Sequence, residues 1–162
     1  MRRFLRISIP VFIIGFIAGN AFWYLASPLW IDVVVSESLP SDLVVTDVAS
    51  GNFHDADAVH RGAGQVKIVQ SGGGSNILTL SAFEVTNGPD LKVILVKAPD
   101  PQSSADVKAV EWVSLGPLKG NIGDQNYTIP AEINPGDFGS VAIWCKQFGV
   151  LFAAAPLMFE GL

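Results

Sequence analysis

Cysteine occurs once in these 162 residues, at Cys145, while histidine occurs twice and methionine twice, one of them Met1. A single thiol excludes an intramolecular disulfide framework, and the absence of a Cys-x-x-Cys-His run excludes covalent attachment of a c-type haem. His54 and His60, with Met158 as the only internal methionine, are a thin supply for a blue-copper centre, which wants two His, one Cys and a weak axial ligand. No Ser or Cys stands in a motif with a placed His and acid, so no hydrolytic triad can be read. Gly72-Gly73-Gly74 leads into a strand-like run rather than a helix, so there is no phosphate loop or dinucleotide fingerprint.

Positive charge is also scarce beyond the N-terminus. From Asp32 onward seven Lys and Arg face fifteen Asp and Glu, a net charge of −8. That balance excludes binding nucleic acid through its phosphates and gives the body of the chain no attraction to an anionic bilayer. Attachment to a membrane must come from elsewhere. Arg2, Arg3 and Arg6 lead into an uncharged apolar run from Ile7 to Ala26, about 30 Å of helix at ~1.5 Å per residue and long enough to cross a bilayer. Pro10 suits the first turn of such a helix, where its missing N–H costs least. Trp23, Tyr24 and Trp30 at the far end have the character of an interfacial aromatic belt. Gly19-Asn20-Ala21 offers a signal-peptidase-like site, but the apolar run continues through Leu25, longer than a signal core, so an uncleaved anchor fits better. With three arginines before the span and no cation after it until Arg61, the N-terminus is expected in the cytoplasm and the rest outside it.

The expected organisation is therefore a cytoplasmic tip and transmembrane anchor over 1–30, a linker over 31–42, and one β domain over 43–162. Gly and Pro punctuate that last part about every ten residues, between runs rich in Val, Ile, Leu and Phe, which predicts an antiparallel β-sandwich or barrel of about eight strands. The candidates are Leu43–Val48, Gly64–Gln70, Ile77–Phe83, Leu91–Lys97, Val110–Leu115, Asn126–Ile129, Ser140–Lys146 and Val150–Ala154. Ser71 to Asn76 reads as the connection of a hairpin. No segment among them has a sustained helical period. In the strand carrying the cysteine, period two puts Val141, Ile143 and Cys145 on one face and Ser140, Ala142, Trp144 and Lys146 on the other. The first set is the more apolar, so Cys145 is expected to point inward, as a small buried thiol commonly does.

Three polar clusters compete for a role. His54-Asp55-Ala56-Asp57-Ala58-Val59-His60 invites a metal, but its spacing matches neither a helical pair nor a short chelating loop, and a solvated loop is the better reading. Asn87-Gly88-Pro89-Asp90 and Gly123-Asp124-Gln125-Asn126-Tyr127 could lend oxygens to calcium through Asp90, Asp124 and Asn126. Their composition is also that of turns, which is favoured.

Gly51-Asn52-Phe53, His60-Arg61-Gly62-Ala63-Gly64, Leu80-Ser81-Ala82-Phe83, Asn87 to Leu91, Leu115 to Asn121, Gly123 to Tyr127 and Trp144 to Phe148 together resemble the DM13 domain, in order and spacing, over roughly Leu43 to Leu157. The resemblance implies a secreted or membrane-anchored β domain of a kind found beside DOMON domains. It further implies electron transfer or another redox step through the family's cysteine, as a bare thiol or as a ligand to a prosthetic group such as haem. That cysteine falls on Cys145 and the histidine of the early motif on His60; a ligand role for His60 is our own conjecture. A thiolate can bind haem iron or copper, so noncovalent haem, a mononuclear metal or the thiol alone stay open, with no particular metal indicated.

Two functions follow. One is a membrane-anchored extracytoplasmic redox or electron-transfer module, with Cys145 as thiol or ligand, His60 as second ligand, and an envelope protein or a redox protein as partner. The other is a non-catalytic module that uses the turns around Asp90, Asp124 and Tyr127 to bind a ligand or protein, with Cys145 simply packed.

Overall fold

The alternation of apolar and polar residues resolves into two facing sheets in the computed structural model, which describes residues 2–27 and 30–160. The chain divides after Ile31 into a helical unit and a β unit. In the first, α1 (Arg2–Ala26) contains the apolar stretch Arg6–Tyr24, 19 residues long, with none of it buried in protein. At ~1.5 Å per residue that is about 28 Å, sufficient to span a bilayer. Trp23 and Trp30 meet edge to face, with centroids 6.1 Å apart. The helix starts at Arg2, so Pro10 lies in its interior rather than in the first turn. Its ring removes one backbone bond, toward the Arg6 carbonyl, a loss that apolar spanning helices tolerate.

Among the described residues the β unit contains eleven strands. One sheet is built from β1 (Val34–Ser36), β2 (Val45–Asn52), β4 (Gly62–Ser71), β5 (Asn76–Val85), β8 (Ile122–Thr128) and β11 (Met158–Phe159), in the order β1-β8-β5-β4-β2-β11. The other comprises β3 (His54–Asp55), β6 (Leu91–Val96), β7 (Trp112–Pro117), β9 (Ser140–Cys145) and β10 (Val150–Pro156), in the order β3-β10-β9-β6-β7. Pairing is antiparallel throughout except for β1 on β8. Each of the eight expected strands overlaps an observed one, and the Ser71 to Asn76 segment closes the β4–β5 hairpin. The additional strands β1, β3 and β11 are two or three residues long.

Between the sheets lies the main core, in which Val66, Leu78, Leu80 and Phe83 meet Val93, Val141, Ile143 and Cys145. Each large aliphatic or aromatic side chain so buried contributes about 1.5–3 kcal/mol. A second cluster covers the outer face of the other sheet, where Ile94, Ala142, Trp144 and Leu151 pack with Val107 of α2 (Ser104–Lys108). This short helix is held by a capping box: Ser103 Oγ accepts the Asp106 N–H, while the Asp106 carboxylate accepts the Ser103 N–H at 2.9 Å. Ser104 Oγ also accepts the Leu151 N–H at 2.9 Å, where β10 bulges out of register. All six residues of β9 are consequently buried, on both faces.

A second irregularity shapes β4. Its register slips between Ala63 and Gln65, and Gly64 takes φ +111° there. A Cβ on Gly64 would lie 2.7 Å from the Ala82 carbonyl oxygen. Glycine is required at this bulge both for its dihedral and for the close approach of the neighbouring strand.

Candidate functional site

Cys145 ends the central strand of its sheet, opposite Leu91 of β6 and Val150 of β10. It is 1% exposed and belongs to the inter-sheet core with Val141 and Ile143, the face that strand period assigns it. Its thiol donates to the Pro89 carbonyl at 3.0 Å. Beyond it the chain turns through Lys146, Gln147 and Phe148, all exposed, and Gly149, whose N–H returns to the Cys145 carbonyl. The opposite face of β9 is also covered, with Trp144 at 4% exposure beneath Lys108.

His60 lies at the end of the loop that follows β3. Its Nδ1 donates to Asp57 Oδ2 at 2.7 Å, and Asp57 Oδ1 accepts the N–H groups of Val59 and His60 at 2.7 Å each. The His60 hydrogen bond, reinforced by these two amides, holds the Asp57 carboxyl down at about 2. The imidazole rests against Phe152, with ring centroids 4.4 Å apart. His54 has separate partners, the Asp55 carbonyl and the Asp100 carboxylate, both at 2.9 Å. The Asp–His loop is thus internally bonded, and among the described residues no three His, Cys, Asp or Glu side chains gather as a metal set would require.

The turn Asn87-Gly88-Pro89-Asp90 connects these places. Pro89 accepts the thiol, the Asp90 carbonyl accepts the Lys146 N–H, and Asn87 Nδ2 donates to Asp32. A Cβ on Gly88 would fall 2.5 Å from the Phe152 ring, so that ring lies against the turn on one side and against His60 on another. Asp90 pairs with Lys92 at 2.7 Å and Asp124 accepts the Ala82 N–H at 2.8 Å. These are the contacts of turn and strand residues, as the composition favours. Tyr127 is buried rather than available to a partner. Its hydroxyl donates to Gln125 Oε1 at 2.8 Å and accepts the Lys119 N–H, and burial pushes its phenol up to about 12.

A cleft of about 450 Å³ opens beside the same turn, lined in part by Asp32, Asp55, Arg61, Glu84, Thr86 and Asn121. Neither Cys145 nor His60 lines it. The two family-matched residues are not hydrogen-bonded to one another: the sulfur faces the core and the Pro89 carbonyl, and the imidazole faces Asp57 and Phe152. A prosthetic group ligated by both does not fit this packing, because it would have to displace core side chains at the sulfur.

The sequence profile of the family described as electron transfer DM13 matches residues 52–157. That range holds Cys145, His60, the Asn87 turn and eight of the eleven strands in full. The chain belongs to the DM13 family. No curated protein and no solved structure matches it. The DM13 match begins after Asp32, so one wall of the cleft comes from outside the family region. Sequence reasoning missed the cleft. Its one signal was Arg61, the only arginine beyond the N-terminal three.

Proposed function

We propose that this DM13 protein is a single-pass membrane-anchored redox module whose β unit stands outside the cytoplasm and whose redox group is the thiol of Cys145. The observation that carries this reading is the match to an electron-transfer family across the strand that presents the chain's one sulfhydryl. The apolar α1, with arginines on one side only, supports the anchor and its orientation. With one thiol per chain, a peroxide oxidises the thiolate by two electrons to a sulfenic acid, its other oxygen leaving as water, or the thiolate attacks a partner's disulfide, forming a mixed disulfide and releasing the partner's second thiolate. Either product requires the end of β9 to open. The hairpin of Lys146, Gln147 and Phe148 is the part that would move, since those residues are exposed while Cys145 is held by one S–H bond.

The burial of Cys145 favours a second reading, an extracytoplasmic binding module in which the thiol is a core filler. Full-length protein in detergent micelles separates the two. The redox reading expects Cys145 to form a sulfenic acid or mixed disulfide under oxidant while circular dichroism still reports a folded domain. It also expects Cys145→Ser to abolish that chemistry without unfolding the chain. A thiol that reacts only at the rate of global unfolding, in protein without bound metal or haem absorbance, overturns it in favour of the binding module.

A further inference from the structure

We propose that the cleft beside Arg61 binds a small basic zwitterion, a molecule carrying a carboxylate and ammonium groups in the manner of a basic amino acid. The inference stands on the cleft alone and does not depend on the redox reading of Cys145. Opposite charges share this space without neutralising one another. Among the described residues, ion pairs occupy His54, His60, Lys67, Lys92, Lys97 and Lys119, and Arg61 enters none. Yet Asp32, Asp55 and Glu84 line the same cleft.

Two of these carboxylates are pinned. Asp32 Oδ1 accepts the side-chain amides of Asn87 and Asn121 at 2.9 and 2.8 Å, and Asp55 Oδ1 accepts the Gly62 N–H at 2.9 Å. They are therefore kept from collapsing onto the guanidinium. The Glu84 side chain takes part in no hydrogen bond or ion pair among the described residues, so it is available to a ligand. Between the two signs lies about 450 Å³, within the range of small-molecule sites at roughly 300–1,000 Å³. A guanidinium takes a carboxylate through two parallel N–H donors, and carboxylates accept from ammonium groups. The lining of three acids and one arginine disfavours a dicarboxylate, and Arg61 disfavours a plain diamine. A basic amino acid satisfies both walls at once.

Isothermal titration of the full-length protein in detergent micelles with L-lysine tests this, with cadaverine, which lacks the carboxylate, and L-glutamate as comparators. L-Lysine is expected to bind saturably with Kd on the order of 1 mM. Cadaverine is expected to bind at least about tenfold more weakly, for want of the charge-assisted pair with Arg61. Arg61→Gln should erase the preference for lysine over cadaverine, and Glu84→Gln should weaken both. Both positions are solvent-exposed, and unchanged circular dichroism verifies the fold of each variant. Absence of saturable heat up to about 50 mM L-lysine, far above that Kd, overturns the proposal. So does tighter binding of L-glutamate, or wild-type affinity in both variants.

Discussion

Replacing Cys145 by alanine and by serine separates what the sulfur does for packing from what its hydrogen bond does. The side chain is 1% exposed, in the core between the sheets, and its S–H group is donated to Pro89. Alanine removes an apolar group about the size of a methylene, a transfer loss of ~0.8 kcal/mol. The gap left behind, about 25 Å³ if nothing relaxes, adds roughly 0.6 kcal/mol. The Pro89 carbonyl also loses its donor, for about another 0.5–1 kcal/mol. Cys145→Ala should therefore cost about 2 kcal/mol. Serine keeps a donor toward Pro89 while burying a more polar atom, so its cost should be smaller, about 1 kcal/mol. For a β unit of this size each kcal/mol lowers Tm by roughly 3–5 °C. Thermal unfolding of the full chain in micelles, followed by tryptophan fluorescence, should thus show losses of about 6–10 °C for alanine and 3–5 °C for serine. If serine costs more than alanine, the Pro89 bond does not hold the thiol as described. If neither variant moves Tm, Cys145 is not in a packed core at all.

Three further outcomes follow from other parts of the molecule. Gly64→Ala places a Cβ 2.7 Å from the Ala82 carbonyl oxygen at φ +111°, so it should cost about 3 kcal/mol or more and lower Tm by about 10 °C; an unchanged Tm would contradict the bulge. The Asp57 carboxyl, lowered from 3.8 to about 2 mainly by the His60 hydrogen bond, makes the loop's contribution fully present above 3.8 and lost as pH falls through 2. A carboxyl NMR titration of Asp57 should accordingly have its midpoint near 2, and a midpoint near 3.8 would show that neither the His60 imidazole contact nor the two amide bonds hold the carboxylate. Ile14→Arg puts a charge near the middle of the Arg6–Tyr24 stretch, at about 2.5–3.5 kcal/mol of insertion free energy. It should shift protein out of the carbonate-resistant membrane fraction, and unaltered retention would argue against a spanning helix.

How far the sequence could be read depends on the length over which each signal accumulates. The eight longer strands carry enough alternating residues to announce themselves. β1, β3 and β11 do not, since two or three residues have no period, and β1 lies in a stretch whose composition reads as a linker. It is drawn into the sheet by contacts distant in sequence: the Asn121 side chain accepts the Val33 N–H, and Glu37 accepts from Lys119 Nζ and the Asn126 N–H. The inward face of Cys145 was legible from period two. The burial of Trp144 on the other face was not, because it is covered by α2, too short to show a helical repeat. Its one local mark is the pair Ser103 and Asp106 at capping-box spacing. The cleft was least legible, since Asp32 and Asn121 stand 89 positions apart.

The Asn87-Gly88-Pro89-Asp90 turn gives these pieces a common mechanical origin. Its composition announces only a turn, yet its four residues meet Asp32 of the cleft through Asn87, the Phe152 ring through Gly88, the thiol through Pro89 and the hairpin after β9 through Asp90. Because these contacts are close-packed or hydrogen-bonded, a shift at Pro89 is expected to be felt at Asn87. A movement that uncovers Cys145 by releasing Pro89 is then expected to strain the Asn87 bond to Asp32, which holds one of the acidic walls of the cleft. Occupancy of the cleft should therefore slow the opening of the thiol. Alkylation of Cys145 in saturating L-lysine, compared with its absence, measures that coupling, and an unchanged rate in protein shown to bind L-lysine would mean that the turn hinges between Asn87 and Pro89.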